Sequence, residues 1–346
     1  MLGLTTLQGQ DSLLIPSPWK VSGYLKNLVS LHSLGDLQHW SADELLHHRL
    51  NIRWEPSSHF TSGVEIRNRL FWGNAVSSTP SFFSQLRNSR ELVKLSVDWF
   101  RASAVALHTQ VDRLWADYQN EKWSLRIGRQ RINWGQTTSW NPNDIFNTYN
   151  FLYFDYEERP GTDAVKLDYR HSSFSNSSWV VAPGRSTRSS IAAYKYSFNR
   201  SGYDWQALAG WYAGQVTIGS GFAGSIADAG FKGEVQYYFR KDDLPDHFTS
   251  TLETDYAFPK GWYGNISLLY NSRGSTGPLP SGLSPALQFS PKNLMPTRWN
   301  GLVTVSKNFS PILNGTVSVL YAPGMNLVFR SEEHTSELQS RLHLVC

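Results

Sequence analysis

Apolar and polar side chains alternate along most of the chain, in segments of about ten residues separated by turns. In residues 231–240, one face carries aromatic and aliphatic groups, and the other carries charged and amide groups. The first face holds Phe231, Val235, Tyr237 and Phe239, and the second holds Lys232, Glu234, Gln236 and Arg240. Residues 251–258 repeat this pattern. A period of two predicts β-strands.

The charges on the polar face distinguish between two all-β architectures. A β-sandwich buries one face of every strand in an apolar core. A transmembrane β-barrel instead turns one face to lipid and the other to a hydrated lumen. The polar positions that we expect to face this lumen are Lys232, Glu234, Gln236, Glu253 and Asp255. The pattern therefore predicts an all-β protein, an antiparallel transmembrane β-barrel.

The alternation predicts about fifteen complete strands, so a barrel with an even number of strands would need at least about sixteen in the full-length protein. The predicted strands span residues 19–31, 44–54, 61–73, 107–118, 123–133, 162–171, 178–184, 190–198, 203–212, 216–223, 229–240, 248–258, 262–272, 298–308 and 312–322. Each is long enough to cross a membrane when tilted.

The lengths of the connections test this strand count, because outer-membrane barrels place short turns at one end and long loops at the other. We predict tight turns at residues 55–60, 119–122, 174–177, 259–261 and 309–311, and long loops at residues 74–106, 134–161 and 273–297. The tight turn at residues 259–261 and the long loop at residues 273–297 fall at the expected ends of the barrel only if an odd number of strands lies between Ser178 and Arg240. That condition requires a break near residues 213–215, within an otherwise over-long strand.

The composition agrees with a wall that has two unlike faces. The chain has 14 Trp, 16 Tyr and 18 Phe, yet its mean hydropathy is −0.39. Aromatic side chains suit girdles at the two membrane interfaces, and no apolar run approaches the roughly 18 residues that predict a membrane helix. The net charge of +4 comes from scattered residues, which argues against a nucleic-acid partner. The one cysteine is Cys346, which argues against disulfides and thiol catalysis.

Both ends of the chain depart from the barrel pattern, which we assign to residues 11–329. Residues 1–10 have a short apolar stretch followed by small and polar residues, which is typical either of a signal-peptide remnant or of a disordered N-terminus. Residues 330–346 lose both the alternation and the aromatics, and the run RSEEHTSELQS resembles a translated sequencing-library adapter. We therefore predict a non-native tail there, and a barrel that is cut within the strand beginning near Met325.

The loop predicted at residues 134–161 is flanked by the densest charged motif of the chain. Asn141-Pro142-Asn143-Asp144 forms a turn or helix cap, which predicts a short helix over residues 145–151. A loop of this kind can fold into the lumen and narrow it. Our candidates for the pore lining or constriction are Arg129, Arg131, Glu157, Glu158 and Arg159. A salt-bridge network that only holds the loop in place fits the same residues equally well.

The run GRQRINWGQTTSWNPNDIFNTYNF, followed by DYEERPGTDAVKLDY, resembles outer-membrane porin-like proteins of Bacteroidetes-type bacteria. These proteins are distantly similar to the alginate-export and phosphate-selective porins. The resemblance covers residues 19–329 as a strand pattern and is residue-specific over residues 123–169 and 229–239. It implies a barrel of at least about sixteen strands in a Gram-negative outer membrane. It does not supply a substrate.

These features favour a porin-like channel of the cell outer membrane for the passive passage of small polar or anionic solutes. We expect membrane lipid around the barrel, and neither a cofactor or metal nor a catalytic residue. A homotrimer is one assembly that such a barrel can form. One alternative is a surface protein that binds or assembles polysaccharide, with aromatic residues near 134–140 and 82–83 stacking on sugars. A second alternative is an outer-membrane hydrolase, although the chain has no nucleophile elbow or zinc-protease motif.

Overall fold

The computed structural model describes residues 17–33, 40–78, 82–86, 92–147, 161–277, 290–310, 313–322 and 327–336. The strands are β1 (Trp19–Ser33), β2 (Trp40–Trp54), β3 (Phe60–Gly73), β4 (Ser96–Arg101), β5 (Val105–Gln119), β6 (Trp123–Gln130), β7 (Thr162–Ser172), β8 (Ser175–Ala182), β9 (Ile191–Arg200), β10 (Tyr203–Tyr212), β11 (Gln215–Ile226), β12 (Ala229–Tyr238), β13 (His247–Phe258), β14 (Trp262–Asn271), β15 (Trp299–Ser310), β16 (Leu313–Ala322) and β17 (Leu327–Ser336). Two short helices, α1 (Asn74–Ser78) and α2 (Phe82–Leu86), follow β3, and a 3-10 turn (Pro259–Gly261) joins β13 to β14. In this part of the chain no helix has both the length and the apolar character to cross a membrane.

The seventeen strands belong to one antiparallel sheet, and strands that are consecutive in the chain pair with each other, with one exception at β4. β3 pairs with one edge of β5 along nearly the whole length of both strands. On the other edge, β4 pairs with residues 106–110 and β6 pairs with residues 114–119. Because β4 and β6 share one position, the seventeen strands fill sixteen positions around the wall.

The connections are short at one end of the sheet, here called the short-turn end, and longer at the opposite, long-loop end. Residues 120–122, 201–202 and 259–261 are turns at the short-turn end, whereas residues 131–161 and 272–298 are connections at the long-loop end. The predicted break near residue 213 is confirmed, since Ala213 and Gly214 form a turn between β10 and β11. Their φ angles of 47° and 98° are those of hairpin turns whose twist matches that of the flanking strands.

The outward face of the sheet has an aliphatic band between two rows of aromatic side chains. Exposed aliphatic side chains occupy the middle of the strands, as Ile266 and Leu268 do in β14. The exposed aromatic residues toward the short-turn end include Trp19, Tyr118, Trp123, Phe258, Trp262 and Phe309. Those toward the long-loop end include Trp99, Phe239, Trp299 and Tyr321. An apolar band with an aromatic girdle on each side is the outer surface expected of a transmembrane barrel.

The inward face surrounds residues 131–147, which we name the lumen segment. Its apolar side chains pack on inward residues of β7–β10 at one side, and Trp140 packs on inward residues of β14–β16 at the other. Polar contacts join the same segment to β11, β12 and β13. Because one short segment touches the inner faces of strands from β7 to β16, the sheet curves around it. The fold is therefore an antiparallel β-barrel with a loop folded inside.

Three sequence-based expectations differ from the observed elements. β6 ends at Gln130 and does not continue to residue 133, because the chain leaves the sheet there for the barrel interior. β4 forms within residues that the sequence assigns to a loop, 74–106. The predicted helix over residues 145–151 does not form at 145–147, where the Asn147 side chain accepts the N–H of Ile132 instead. Residues 148–151 lie outside the described residues.

β17 runs through Arg330 to Ser336 and pairs with β16, so the strand extends beyond Phe329, where the alternation stops. Ladder hydrogen bonds use backbone groups only, and their formation does not depend on the origin of the side chains. The assignment of residues 330–346 to a non-native tail therefore stays a prediction. So does the signal-peptide remnant at residues 1–10, which lie outside the described ranges.

Candidate functional site

Arg129 holds the point at which the chain leaves β6 for the barrel interior. Its guanidinium group pairs with Asp163 of β7, Nε to Oδ1 at 2.8 Å and Nη2 to Oδ2 at 3.0 Å. Asp163 Oδ2 also accepts the backbone N–H groups of Leu92 and Val93 at 3.0 and 3.1 Å. Arg129 in turn donates to the carbonyl oxygen of Val111 at 3.2 Å. This buried pair therefore ties the start of the lumen segment to β5, to β7 and to the residues that lead into β4.

The five charged residues predicted for the pore lining or constriction have unlike environments. Arg129 is only 3% exposed, and the carboxylate of Asp163 neutralises it. Arg131 lies beyond the end of β6 and is exposed, so the two arginines do not share a strand. The remaining three, Glu157, Glu158 and Arg159, lie outside the described residues. Arg129 therefore belongs to a salt-bridge network at the start of the loop, which agrees with the second interpretation of this motif, a network that only holds the loop in place.

Glu234 of β12 is the main anchor of the lumen segment. Its carboxylate is 1% exposed and accepts the backbone N–H groups of Gln136, Thr137 and Asn143, the last two at 2.9 Å. The Thr137 hydroxyl donates to the same carboxylate at 3.1 Å. A buried carboxylate costs much free energy unless several donors surround it, and here the segment's own backbone supplies them. The contacts fix the height and orientation of the segment inside the barrel.

Glu253, on the neighbouring strand β13, provides a second anchor. It accepts the N–H of Thr138 at 3.0 Å and that of Ser139 at 3.1 Å, together with the Ser267 hydroxyl at 2.8 Å. Lys232 lies between Glu253 and Asp255, with Nζ 3.7 and 2.7 Å from their oxygens. The fifth residue predicted to face the lumen is Gln236, which is buried and donates to Thr217 Oγ1. Glu234 and Glu253 contact the lumen segment directly, and Lys232, Gln236 and Asp255 occupy alternate positions on the same face of β12 and β13.

Amide side chains complete the attachment of the segment. Asn143 donates to the carbonyl oxygen of Ser220 at 2.9 Å, and Gln206 donates to that of Trp134 at 2.7 Å. At the far end, Asn147 Nδ2 donates to the hydroxyl of Thr162 at 2.9 Å. The carbonyl and N–H groups of an irregular segment need such partners, because the barrel interior offers no ladder. The segment is thus bonded to the wall along most of its described length.

Two glycines in β11 make room for this attachment. A Cβ atom at Gly221 would lie 2.5 Å from Gln136 Oε1 and 3.0 Å from Asn143 Nδ2. A Cβ atom at Gly219 would meet the side chains of Gln236 and Asn143. A side chain at either position would therefore force these amide side chains out of their present places. Glycine in a strand often marks a close approach of this kind.

Two tryptophans of the lumen segment are packed into the barrel interior. Trp134 is 2% exposed and makes an edge contact with Phe146, with ring centroids 5.0 Å apart. Trp140 is 1% exposed and packs with Leu269 and Met295. Each tryptophan ring buries a large apolar area, so the pair fixes the segment at two separate places.

A cluster of buried arginines lies on the wall formed by β2, β3 and β5. Arg49 and Arg67 both bond Asp112, each at 2.9 Å, and Arg49 also bonds Glu65. The buried arginines of this wall are Arg49, Arg67, Arg69 and Arg113. Sequence reasoning missed this cluster, although Arg67 and Arg69 recur with the period of two that marks one face of a strand.

Ion pairs between connections stabilise the long-loop end. Arg188, between β8 and β9, pairs with Asp243, between β12 and β13, at 2.5 Å. Arg273 pairs with Asp246 at 2.7 Å. Hydrogen bonds from Arg188 and from Arg273 lower the pKa of Asp243 and Asp246, respectively, below their usual value of 3.8. Both pairs are exposed, so they orient the connections and contribute little to global stability.

The structure argues against the aromatic basis of the polysaccharide alternative. Trp134 and Trp140 are buried inside the barrel, and Phe82 packs with Phe71 and Val76, so these rings are not displayed for stacking on sugars. The hydrolase alternative meets a similar obstacle. A serine–histidine contact does exist, with Ser177 Oγ 2.7 Å from His171 Nε2, but Ser177 is 1% exposed and also bonds Tyr194. Within the described part of the chain, no group of three His, Cys, Asp or Glu residues could hold a metal ion.

No protein-family model matches the sequence, and no curated protein sequence matches it. Solved structures do match it. A triple mutant of the Rhodopseudomonas blastica porin is 10% identical with a TM-score of 0.51, and the match covers 92% of this chain and 99% of that chain. The Salmonella typhi OmpF structure with daunomycin is 10% identical with a TM-score of 0.50, covering 92% of this chain and 96% of that chain. At such identities the likeness is one of fold, and this chain has the fold of the porin β-barrels.

Proposed function

We propose that this protein is an outer-membrane channel through which small polar or anionic solutes diffuse passively. The lumen segment is the observation that carries the proposal. It is folded into the barrel, its start is held by the Arg129–Asp163 pair between β6 and β7, and its backbone is bonded to Glu234 and Glu253 on β12 and β13. A segment held in this way sets the width of the passage, and the side chains around it set which solutes pass. The proteins of similar fold are porins by name, which agrees with this proposal.

The polarity of the inner face supports a hydrated passage. The inward positions along β10–β14 include many polar residues, among them Gln206, Thr217, Gln236, Thr251 and Asn265. The outward positions of the same strands are largely apolar. This division is the one that a water-filled barrel in lipid requires.

The arginine wall supports a preference for anions. Four buried arginines, Arg49, Arg67, Arg69 and Arg113, lie on this wall, where Arg49 and Arg67 share the carboxylate of Asp112. Arginine side chains clustered in a low-dielectric wall make the local potential more positive, which favours anions. We keep Arg131, Glu157, Glu158 and Arg159 as candidates for the constriction. We propose no catalytic activity.

The aliphatic band and its aromatic girdles support a location in the outer membrane of a Gram-negative bacterium, with lipid as the surrounding partner. The Bacteroidetes-type origin rests on the residue-level resemblance over residues 123–169 and 229–239.

The homotrimer stays a prediction, and light scattering of the detergent-solubilised protein tests it. A mass of three barrels supports the trimer, and a mass of one contradicts it.

Conductance of the purified full-length protein in planar bilayers tests the proposed function. We expect stepwise KCl currents, and a reversal potential in a salt gradient that shows anions to be more permeant than cations. Arg131→Gln should reduce this preference, because it removes an exposed charge where the lumen segment begins. Arg200→Gln, at the end of β9 beside a short turn, is the matched control and should leave it unchanged. Bilayers that stay silent, together with retained glycan binding, would overturn the channel in favour of the polysaccharide alternative.

A further inference from the structure

A cavity of about 350 Å³ lies inside the barrel toward the short-turn end, between the lumen segment and strands β5–β9. Asn133 and Trp134 of the lumen segment line one side of it. Its volume is within the range of small-molecule sites. None of the residues predicted for the constriction lines it, so the cavity is separate from the charged motif that the sequence singles out.

One continuous row of polar side chains crosses the wall of this cavity. The residues are direct cross-strand neighbours on β5, β6, β7, β8 and β9, in the order Gln119, Ser124, Asp168, Ser178 and Lys195, and all of them line the cavity. Neighbours of this kind have Cβ atoms about 5 Å apart, so their polar groups can converge on a single solute.

Lys195 is the cation of this row, and no residue that the structure describes forms an ion pair with it. Among the described residues its ammonium group makes no hydrogen bond, and it lies over the ring of Trp134, 5.5 Å from the ring centroid. The nearest carboxylate in the row, Asp168, is already bonded to Lys166 at 2.7 Å. A lysine held over an aromatic face in a cavity keeps its charge available for an anion.

Ser178 provides a second, independent sign of a missing ligand. Its side chain is 2% exposed, and its Oγ has no hydrogen-bond partner in the part of the chain that the structure describes. Ser178 pairs directly with Lys195 across β8 and β9. A buried hydroxyl without a partner is uncommon in folded proteins, and a bound group that accepts its hydrogen would satisfy it.

We propose that this cavity is a binding site for a small solute that carries an oxyanion, either a carboxylate or a phosphate. Lys195 forms the ion pair with the oxyanion, and Ser178 donates a hydrogen bond to it. The cations that line the cavity are Lys122, Lys166, Arg170 and Lys195, against the carboxylates of Glu121 and Asp168, so its lining carries an excess of two positive charges. The inference rests on the proposed channel function, because it places an anion site on the solute's path beyond the lumen segment.

Titration calorimetry of the detergent-solubilised protein with sodium phosphate and, separately, with sodium acetate at neutral pH tests this site. We expect saturable binding of at least one of the two ions, and the tighter one identifies the solute class. Lys195→Met should weaken it by about tenfold or more, because a charge-assisted bond is lost. Ser178→Ala should weaken it less, and Lys195→Arg should restore much of it. Lys307→Met is the matched control, since Lys307 lies over Trp262 at 5.1 Å on the outward face near the same end.

The outcomes separate this inference from the channel proposal. Binding that falls in Lys195→Met while bilayers stay silent would support the site and refute the channel. Conductance without any binding of phosphate or acetate, or binding that neither Lys195→Met nor Ser178→Ala alters, would overturn the site and leave the channel standing. If Lys195→Met fails to give the heat-modifiable band of a folded barrel on gels, the Ser178→Ala and Lys195→Arg titrations decide the question.

Discussion

Glu234 shows what a single residue contributes to this fold. Its position in the strand follows from alternation, yet its partners come from residues almost a hundred positions earlier in the chain. The two oxygens of the carboxylate accept from several donors at once, whereas an amide has a single acceptor oxygen and an apolar group has none. Arg129 has the same character, because it joins elements that are distant in sequence through Asp163.

Replacing Glu234 by Gln should loosen the lumen segment while the barrel still folds. The amide has one acceptor oxygen, so backbone N–H groups that now bond the carboxylate would face an NH2 group. Leaving one buried donor unsatisfied costs about 1–3 kcal/mol. Single-channel recordings should then show larger current fluctuations than the wild type. Glu55→Gln, in an exposed turn pair with Lys20, is the control and should behave as the wild type does. Equal noise in all three proteins would refute the anchoring role.

At the scale of elements, the outward face of each strand is readable from the sequence, whereas the inner face depends on what the barrel encloses. β11 illustrates this point. Its glycines look like weak points in a strand, but the structure shows that Gly219 and Gly221 leave space for the lumen segment. Likewise, β4 is a strand because β6 stops at Gln130 and leaves an edge of β5 free for pairing. The sequence pattern of residues 96–101 does not reveal that an edge of β5 is available for pairing.

Gly221→Val should displace the lumen segment from β11. The added Cβ would lie 2.5 Å from Gln136 Oε1, and the γ-methyl groups would need still more space. The strand itself should persist, because valine favours β-structure. We expect a changed unitary conductance with normal folding on gels. Gly277→Val, where a Cβ meets nothing within 4 Å, is the control. A wild-type conductance for Gly221→Val would show that the segment tolerates a side chain there.

The whole molecule has an end-to-end asymmetry, with compact turns at one end and interacting connections at the other. Arg188 and Asp243 join two connections at the long-loop end that are separated in sequence by β9–β12. Folded Asp243 has a lowered pKa, so its pair stabilises the fold at pH values above its usual value of 3.8. That contribution is lost as the pH falls through the lower pKa of the folded state.

Asp243→Asn should therefore lower the urea midpoint of unfolding slightly at pH 7 and should have no effect at pH values well below 3.8. At low pH the wild-type carboxyl is protonated as well, and the two proteins no longer differ in charge. The effect at pH 7 should shrink in high salt, because the pair is exposed to solvent. A difference of equal size at both pH values would show that the asparagine acts through something other than the lost charge.

By itself, the sequence determined the all-β class, most strand positions, the break at residues 213–215 and which face of each strand is apolar. These features depend on periodicity and turn chemistry, which are properties of neighbouring residues. Only the tertiary structure decided that Trp134 and Trp140 are buried, that Arg129 pairs with Asp163, and that Lys195 and Ser178 share a cavity. Those relations join residues that are far apart in the chain, and they exist only once the sheet has curved around the lumen segment.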